Sequence, residues 1–160
     1  MPKKHIYEVR TIEQIEEIRL LFRAYYEELL KVDTCFKDFE QELEKLPGEY
    51  AEPDGKLLLA MDAESVVGCI ALRKIDKEIC EMKRLFIKQE FRGLGWGRVL
   101  ADKIVTEAAS RGYSLLRLDT LDSLTAANSL YKSMGFQPIP PYLQDTSIGL
   151  VYWGLNLKED

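Results

Sequence analysis

The sequence predicts an α/β protein, a mixed sheet with helices available for both of its faces. Three observations carry that reading. Apolar residues recur at helical spacing in some stretches, and alternate or form short apolar runs in others. The order of these stretches is strand, two helices, three strands, helix, strand, helix, strand. The chain has 160 residues, 46% of them apolar and 31% charged, which is the length and balance of one globular domain spanning 1–160.

Residues 5–10 (HIYEVR) alternate and read as a short strand. Ile12, Ile15, Ile18, Leu21, Phe22, Tyr25 and Leu29 then keep helical spacing, with Thr11 as N-cap and acidic residues in the first turns. A second helix covers 36–46 and stops at Pro47-Gly48, and Pro53-Asp54-Gly55 has turn chemistry. Residues 56–62, 65–75 and 78–89 form a meander of three strands. Trp96, Val99, Leu100, Ile104, Val105 and Ala108 mark one face of a helix that ends at Gly112. Residues 114–121 form a strand buried on at least one face, 125–136 a short helix with Gly135 at its C-cap, and PIPPY (138–142) a stiff turn. A last strand covers 147–157. There is no repeat, linker or low-complexity segment.

Composition narrows the function. A net charge of −5 gives little support to a nucleic-acid or anionic-membrane role. No apolar run approaches the roughly 20 residues that span a bilayer. The opening MPKKHIYEVR has lysines but no apolar core after them, so it is not read as a signal peptide. Three cysteines, Cys35, Cys69 and Cys80, form no CxxC and fit free thiols in a reducing cytoplasm. His5, the single histidine, leaves little material for a zinc site or a histidine triad, so no metal is expected.

The most informative stretch is RLFIKQEFRGLGWGRVLADKIV, residues 84–105. Gly93, Gly95 and Gly97 stand between an apolar strand and a helix. Glycine costs backbone entropy, so this spacing points to a sharp bend or a close approach to the backbone. A strand running through glycines into a helix N-terminus bares N–H groups and a positive dipole end to a phosphate. Arg92 and Arg98 flank the loop and could add cationic contacts. The P-loop fails, because Arg98-Val99 stands where Lys-Ser/Thr is required. The dinucleotide fingerprint fails too, since its third glycine would fall on Arg98 or Leu100. On shape alone, a tight turn with no ligand stays open.

Arg92-Gly93-Leu94-Gly95-Trp96-Gly97 resembles the R/Q-x-x-G-x-G/A pattern of the GNAT superfamily of N-acetyltransferases. AANSLYKSMGF (126–136) is similar to that family's A-x-x-L-Y-x-x-x-G-F helix, and the element order is similar across most of the chain. The resemblance implies a mostly antiparallel sheet whose central strands, here 78–89 and 114–121, splay apart. It implies acetyl-CoA as co-substrate, with the pantetheine arm along Leu85, Phe86 and Ile87. The pyrophosphate would sit on the amides of Arg92, Gly93, Leu94, Gly95, Trp96 and Gly97, and of Arg98. The family commonly transfers the acetyl group directly to an amine, here of a small molecule or peptide. A strand N–H polarises the thioester carbonyl; losing such a donor costs about 3 kcal/mol in related oxyanion sites. A homodimer is common in the family, and the last strand offers an edge for one.

Tyr131 matches the family tyrosine that protonates the departing thiolate. Its plainer alternative is a core aromatic, because Ala127, Leu130, Tyr131 and Met134 share helical spacing. Glu81 lies where some members keep a carboxylate base; its alternative is a surface charge beside Lys83. Alternation groups Glu81 with Lys83 and Leu85 unless a bulge changes the phase. One departure stands out: the family asparagine seven residues before the tyrosine is Leu124 here, and Asn128 lies on another turn. Cys80 reads as an inert buried thiol. Tyr25, Tyr26 and Tyr142 are candidates to line the acceptor pocket, and Trp96 and Trp153 read as core or interface residues. The competing function is a CoA-binding sensor on the same fold without catalysis.

Overall fold

A computed structural model describes residues 4–30, 38–143 and 149–158. In chain order its elements are β1 (Lys4–Glu8), α1 (Ile12–Leu30), α2 (Phe39–Lys45), β2 (Lys56–Asp62), β3 (Ser65–Lys74) and β4 (Ile79–Ile87). There follow α3 (Trp96–Ser110), β5 (Leu115–Leu121), α4 (Thr125–Ser133), β6 (Gln137–Pro138) and β7 (Leu150–Asn156). One sheet takes all the strands in the order β1-β2-β3-β4-β5-β7-β6. Every neighbouring pair is antiparallel except β4 and β5, which are parallel.

The start of α1 shows why the chain turns helical there. The Gln14 N–H donates to Thr11 Oγ1 at 3.1 Å, and the Thr11 N–H donates to Gln14 Oε1 at 3.0 Å. This reciprocal capping box satisfies donors that the first turn leaves open. One sheet face receives α1 and α2, through Ile18, Leu21, Phe22, Phe39 and Leu43, against Leu57, Leu59 and Phe86. The other receives α3 and α4, through Trp96, Leu100, Ile104 and Tyr131, against Leu58, Met82 and Leu116. The strand KLLLAMD is apolar without alternation because Leu57 and Leu59 serve one core while Leu58 and Ala60 serve the other.

Two irregularities place the site. Ala71 pairs with Lys83 and Cys69 with Phe86, so Arg84 and Leu85 together oppose Ile70. This is a β-bulge, with Arg84 at φ +60°. It inverts the phase of β4: Cys80 and Met82 pack toward α3 before it, and Leu85 and Ile87 after it. The second irregularity is the end of the β4–β5 ladder. Ile79, Cys80 and Glu81 pair with Leu115, Leu116 and Arg117, and no pair follows. From Met82 onward β4 has a free edge toward β5.

Some boundaries move. α2 begins at Phe39 rather than 36, and β1 ends at Glu8. The PIPPY turn contributes Pro138 to β6, which pairs with Trp153 and Gly154 of β7. The last strand is therefore partly covered at its outer side. Cys35, the loop 31–36 and residues 144–148 lie outside the described residues. No helix among the described residues is long and apolar enough to cross a membrane.

Candidate functional site

The splay between β4 and β5 opens into two cavities that meet. The larger, about 440 Å³, runs from Leu85, Phe86 and Ile87 to Gly93, Gly95 and Gly97. The smaller, about 240 Å³, reaches toward α1 past Lys83, Arg84 and Asp119. Tyr25, Leu29, Leu85, Thr120, Leu124 and Tyr131 line both, so they mark the junction.

The floor of the larger cavity is built from backbone. Gly93 and Gly95 take φ of +79° and +89°, which L side chains rarely adopt. A Cβ at either would meet nothing within 4 Å. Conformation, not crowding, therefore requires glycine at these two positions. Gly95 caps α3, and the first N–H that returns into the helix is that of Val99, to Gly95 O at 3.2 Å. From Gly93 through Arg98 no backbone N–H donates to a protein acceptor among the described residues. Such a run of open donors at a helix start favours an anion.

The arginines are mostly committed elsewhere. Arg92 donates to Ile87 O and to Glu28, each at 2.8 Å, and so braces the loop against β4 and α1. Arg98 is half exposed and reaches Asp102 and Ser133. Leu94 projects outward at 53% exposure, and Trp96 is buried. At these last three positions the main chain, not the side chain, is what the loop offers a ligand.

Tyr131 comes from α4 and is buried at the junction. Its ring tilts against Phe136 at 5.6 Å, and its hydroxyl has no hydrogen-bond partner among the described residues. Burial, with smaller effects from Tyr25 and Asp119, raises its phenol above the ordinary tyrosine value. The proton therefore stays on this oxygen at neutral pH. Such a group can donate a proton when an anion forms beside it.

Glu81 stands apart. It is 1% exposed and lines neither cavity. Its oxygens accept from Arg73 Nη2 at 3.2 Å and from Arg117 Nε at 3.1 Å. Arg117 in turn lies over the Tyr142 ring, 3.8 Å from its centroid. The Tyr142 hydroxyl donates to Asp119 Oδ2 at 2.9 Å. Tyr26 stacks on Phe39 at 4.3 Å and lines neither cavity, whereas Tyr25 lines both.

The sequence reading did not single out Lys83, Asp119 or Asn128 for a place here. Asn128 donates to Leu121 O at 3.0 Å and Leu124 O at 2.9 Å, and accepts from Trp153 Nε1 at 2.8 Å. It fastens the β5–α4 corner to β7. The other two belong to a pattern that was present: Glu81 and Lys83 on β4, and Arg117 and Asp119 on β5, are charges at alternate positions of apolar strands. Strand alternation places each pair on one face.

A statistical description of the acetyltransferase (GNAT) family matches residues 15–136. An uncharacterised N-acetyltransferase of Dictyostelium discoideum is 32% identical over an alignment covering 94% of this chain and 98% of that protein. Among solved structures, a GNAT-family acetyltransferase of Staphylococcus aureus superimposes with a TM-score of 0.81 at 22% identity, covering 98% of this chain and 100% of that one. A Salmonella typhimurium protein solved with its cofactor acetyl-CoA superimposes with a TM-score of 0.72 at 17% identity, covering 98% and 95%. These two structures are likenesses of fold.

Proposed function

The chain belongs to the GNAT family of acetyltransferases, and on that premise we propose that it passes the acetyl group of acetyl-CoA directly to an amine of a small molecule or peptide. One observation carries the reading. The free edge of β4 and the open amides of 93–98 line a single cavity. An extended arm with amide groups can pair with the first, and a pyrophosphate can sit on the second. The solved relative with acetyl-CoA supports the choice of ligand.

In this reading each residue has a defined task. Leu85, Phe86 and Ile87 offer main-chain groups to the pantetheine arm. The amides from Gly93 to Arg98 hold the phosphates, with Gly93 and Gly95 supplying the bend; the Arg92 N–H expected among them already donates to Gln89 O at 3.2 Å. Arg92 keeps that loop against α1 through Glu28. Tyr131, at the junction of the two cavities, gives its proton to the thiolate as the new amide forms. Glu81 does not meet the amine in this arrangement, because two guanidinium groups hold its oxygens. We assign it the positioning of Arg117 and Arg73.

The test is calorimetric titration with acetyl-CoA, competed with ATP and NAD, on the parent and on Gly95→Val. One-site binding that neither nucleotide displaces is expected. The β-branched residue forced to positive φ should weaken it by about 5- to 100-fold, the equivalent of 1–3 kcal/mol of backbone strain. A folded protein that ignores acetyl-CoA would reduce the loop to a turn. Binding without transfer to any amine would leave a sensor on the same fold.

A further inference from the structure

The smaller cavity holds one cation that the protein does not neutralise by hydrogen bonding. Four cationic side chains belong to this side of β3, β4 and β5: Arg73, Lys83, Arg84 and Arg117. Arg84 grips Glu42 through two bonds of 2.9 and 2.7 Å. Arg73 donates to Glu49 at 2.8 Å and to Glu81 at 3.2 Å. Arg117 donates to Glu81 at 3.1 Å. Lys83 makes no hydrogen bond among the described residues; Glu81 Oε1 lies 3.7 Å from its Nζ, and both Glu81 oxygens already accept from the arginines. Its side chain is 22% exposed, and it lines the cavity.

A part-buried ammonium without a hydrogen-bonded partner is costly, since charges withdrawn from water in folded proteins are normally paired. The strain registers in the group itself: burial, then repulsion from Arg84 and Arg73, lowers the Lys83 pKa. Across the same cavity stands Asp119. One of its oxygens accepts from Tyr142, and the other has no donor among the described residues. Lys83 and Asp119 make no ion pair with each other, although both face one space. The rest of the wall is largely apolar, and Leu143 and Leu150 line this cavity but not the one at the glycine loop.

We propose that the acceptor is a small amino acid with an apolar side chain, its carboxylate seated on Lys83 and its amino group led in past Asp119. This deepens the acetyl-transfer reading and rests on it. A zwitterion gives Lys83 a hydrogen-bonded carboxylate beyond the Glu81 oxygen at 3.7 Å and gives Asp119 a cation, and its side chain covers the leucines. The amino group must reach the junction at Tyr131 without its proton before it attacks. Asp119 holds the ammonium form during entry, and the proton leaves to solvent through the cavity mouth. The nitrogen then bonds to the acetyl carbon as the carbon–sulfur bond breaks; Tyr131 protonates the sulfur, and the proton that the nitrogen sheds on becoming an amide returns to the Tyr131 oxygen.

The experiment measures kcat/KM for matched acceptors: L-leucine against 3-methylbutylamine, and L-phenylalanine against 2-phenylethylamine. Each pair differs by the carboxylate alone. The amino acids are expected to lead by about 10- to 100-fold, the worth of a charge-assisted contact in a part-buried site. Lys83→Met should erase that lead while acetyl-CoA binds as before, and Lys83→Arg should restore part of it. Equal rates within the pairs, or a preference for the plain amines, would overturn the proposal. So would a Lys83→Met variant that keeps the discrimination. If acetyl-CoA binds but no member of any pair is acetylated, the acceptor class is wrong and the cofactor reading stands. If acetyl-CoA does not bind, both fall.

Discussion

The family resemblance gives both Tyr131 and Glu81 a catalytic task, and their surroundings separate them. Tyr131 keeps a free hydroxyl at the junction of two cavities, while Glu81 is enclosed by guanidinium groups. Two expectations follow at this scale. Tyr131→Phe should lower kcat by about 100-fold or more, the usual worth of a positioned acid, with acetyl-CoA affinity unchanged. An unchanged kcat would return Tyr131 to the core aromatics. Glu81→Gln should cost about 3 kcal/mol of stability, because it leaves Arg117 without its carboxylate and Arg73 with Glu49 alone. Its pH–rate profile should keep the parent's shape; a displaced acid limb would identify Glu81 as the base after all. Tyr131 is legible in the sequence as a candidate because a short motif surrounds it. Lys83 and Asp119 are not, because a charge on an apolar strand looks the same whether it meets solvent or a cavity.

The bulge in β4 decides which side chains reach that cavity. Without the extra residue, Leu85 would share the face of Glu81 and Lys83, and the apolar end of the strand would point the wrong way. The bulge is held from outside by Arg84, whose guanidinium crosses to Glu42 on α2. Arg84→Ala should therefore cost about 3 kcal/mol, since Glu42 is left part-buried and unpaired. Glu42→Ala together with Arg84→Ala should cost less than the sum of the two singles. Denaturant midpoints for the four proteins give the coupling, and strict additivity would deny the brace. Sequence periodicity found β2, β3, β4, α3 and β5 nearly to the residue, because their apolar runs are bounded by glycines and turns. It could not show the bulge: MKRLFI alternates well enough in either register. Nor could it show β6, whose two residues become a strand only because β7 lies beside them.

The whole molecule stores many buried groups in their neutral form. Burial pushes the Tyr25 phenol up to about 12, and raises Tyr50 and Tyr131 as well. The Cys80 thiol is likewise pushed up to about 12 by burial, and Cys69 is raised too. In the unfolded chain these protons leave between about pH 8.5 and 10. The folded chain keeps them, so above that range the unfolded state binds fewer protons and stability falls as pH rises. Each group can cost about 1.4 kcal/mol per pH unit between its unfolded and folded values. Melting temperatures taken from pH 8 to 12 should decline steeply from the lower end of that window. A flat profile to pH 11 would mean that these side chains are not sealed in the core.

The short ladder between β4 and β5 divides the sheet into two plates, β1 to β4 and β5 to β7, riveted at one end only. Amides along the gap have no lock, whereas those on the far edge of β4 are locked to β3. Hydrogen exchange should therefore be fast on one edge of a single strand and slow on the other. A ligand that enters the gap completes the missing rungs, and protection should then spread across the joint. The protein's weakest seam would be the one its ligand mends, so the rate at which the plates part sets an upper bound on the release of product.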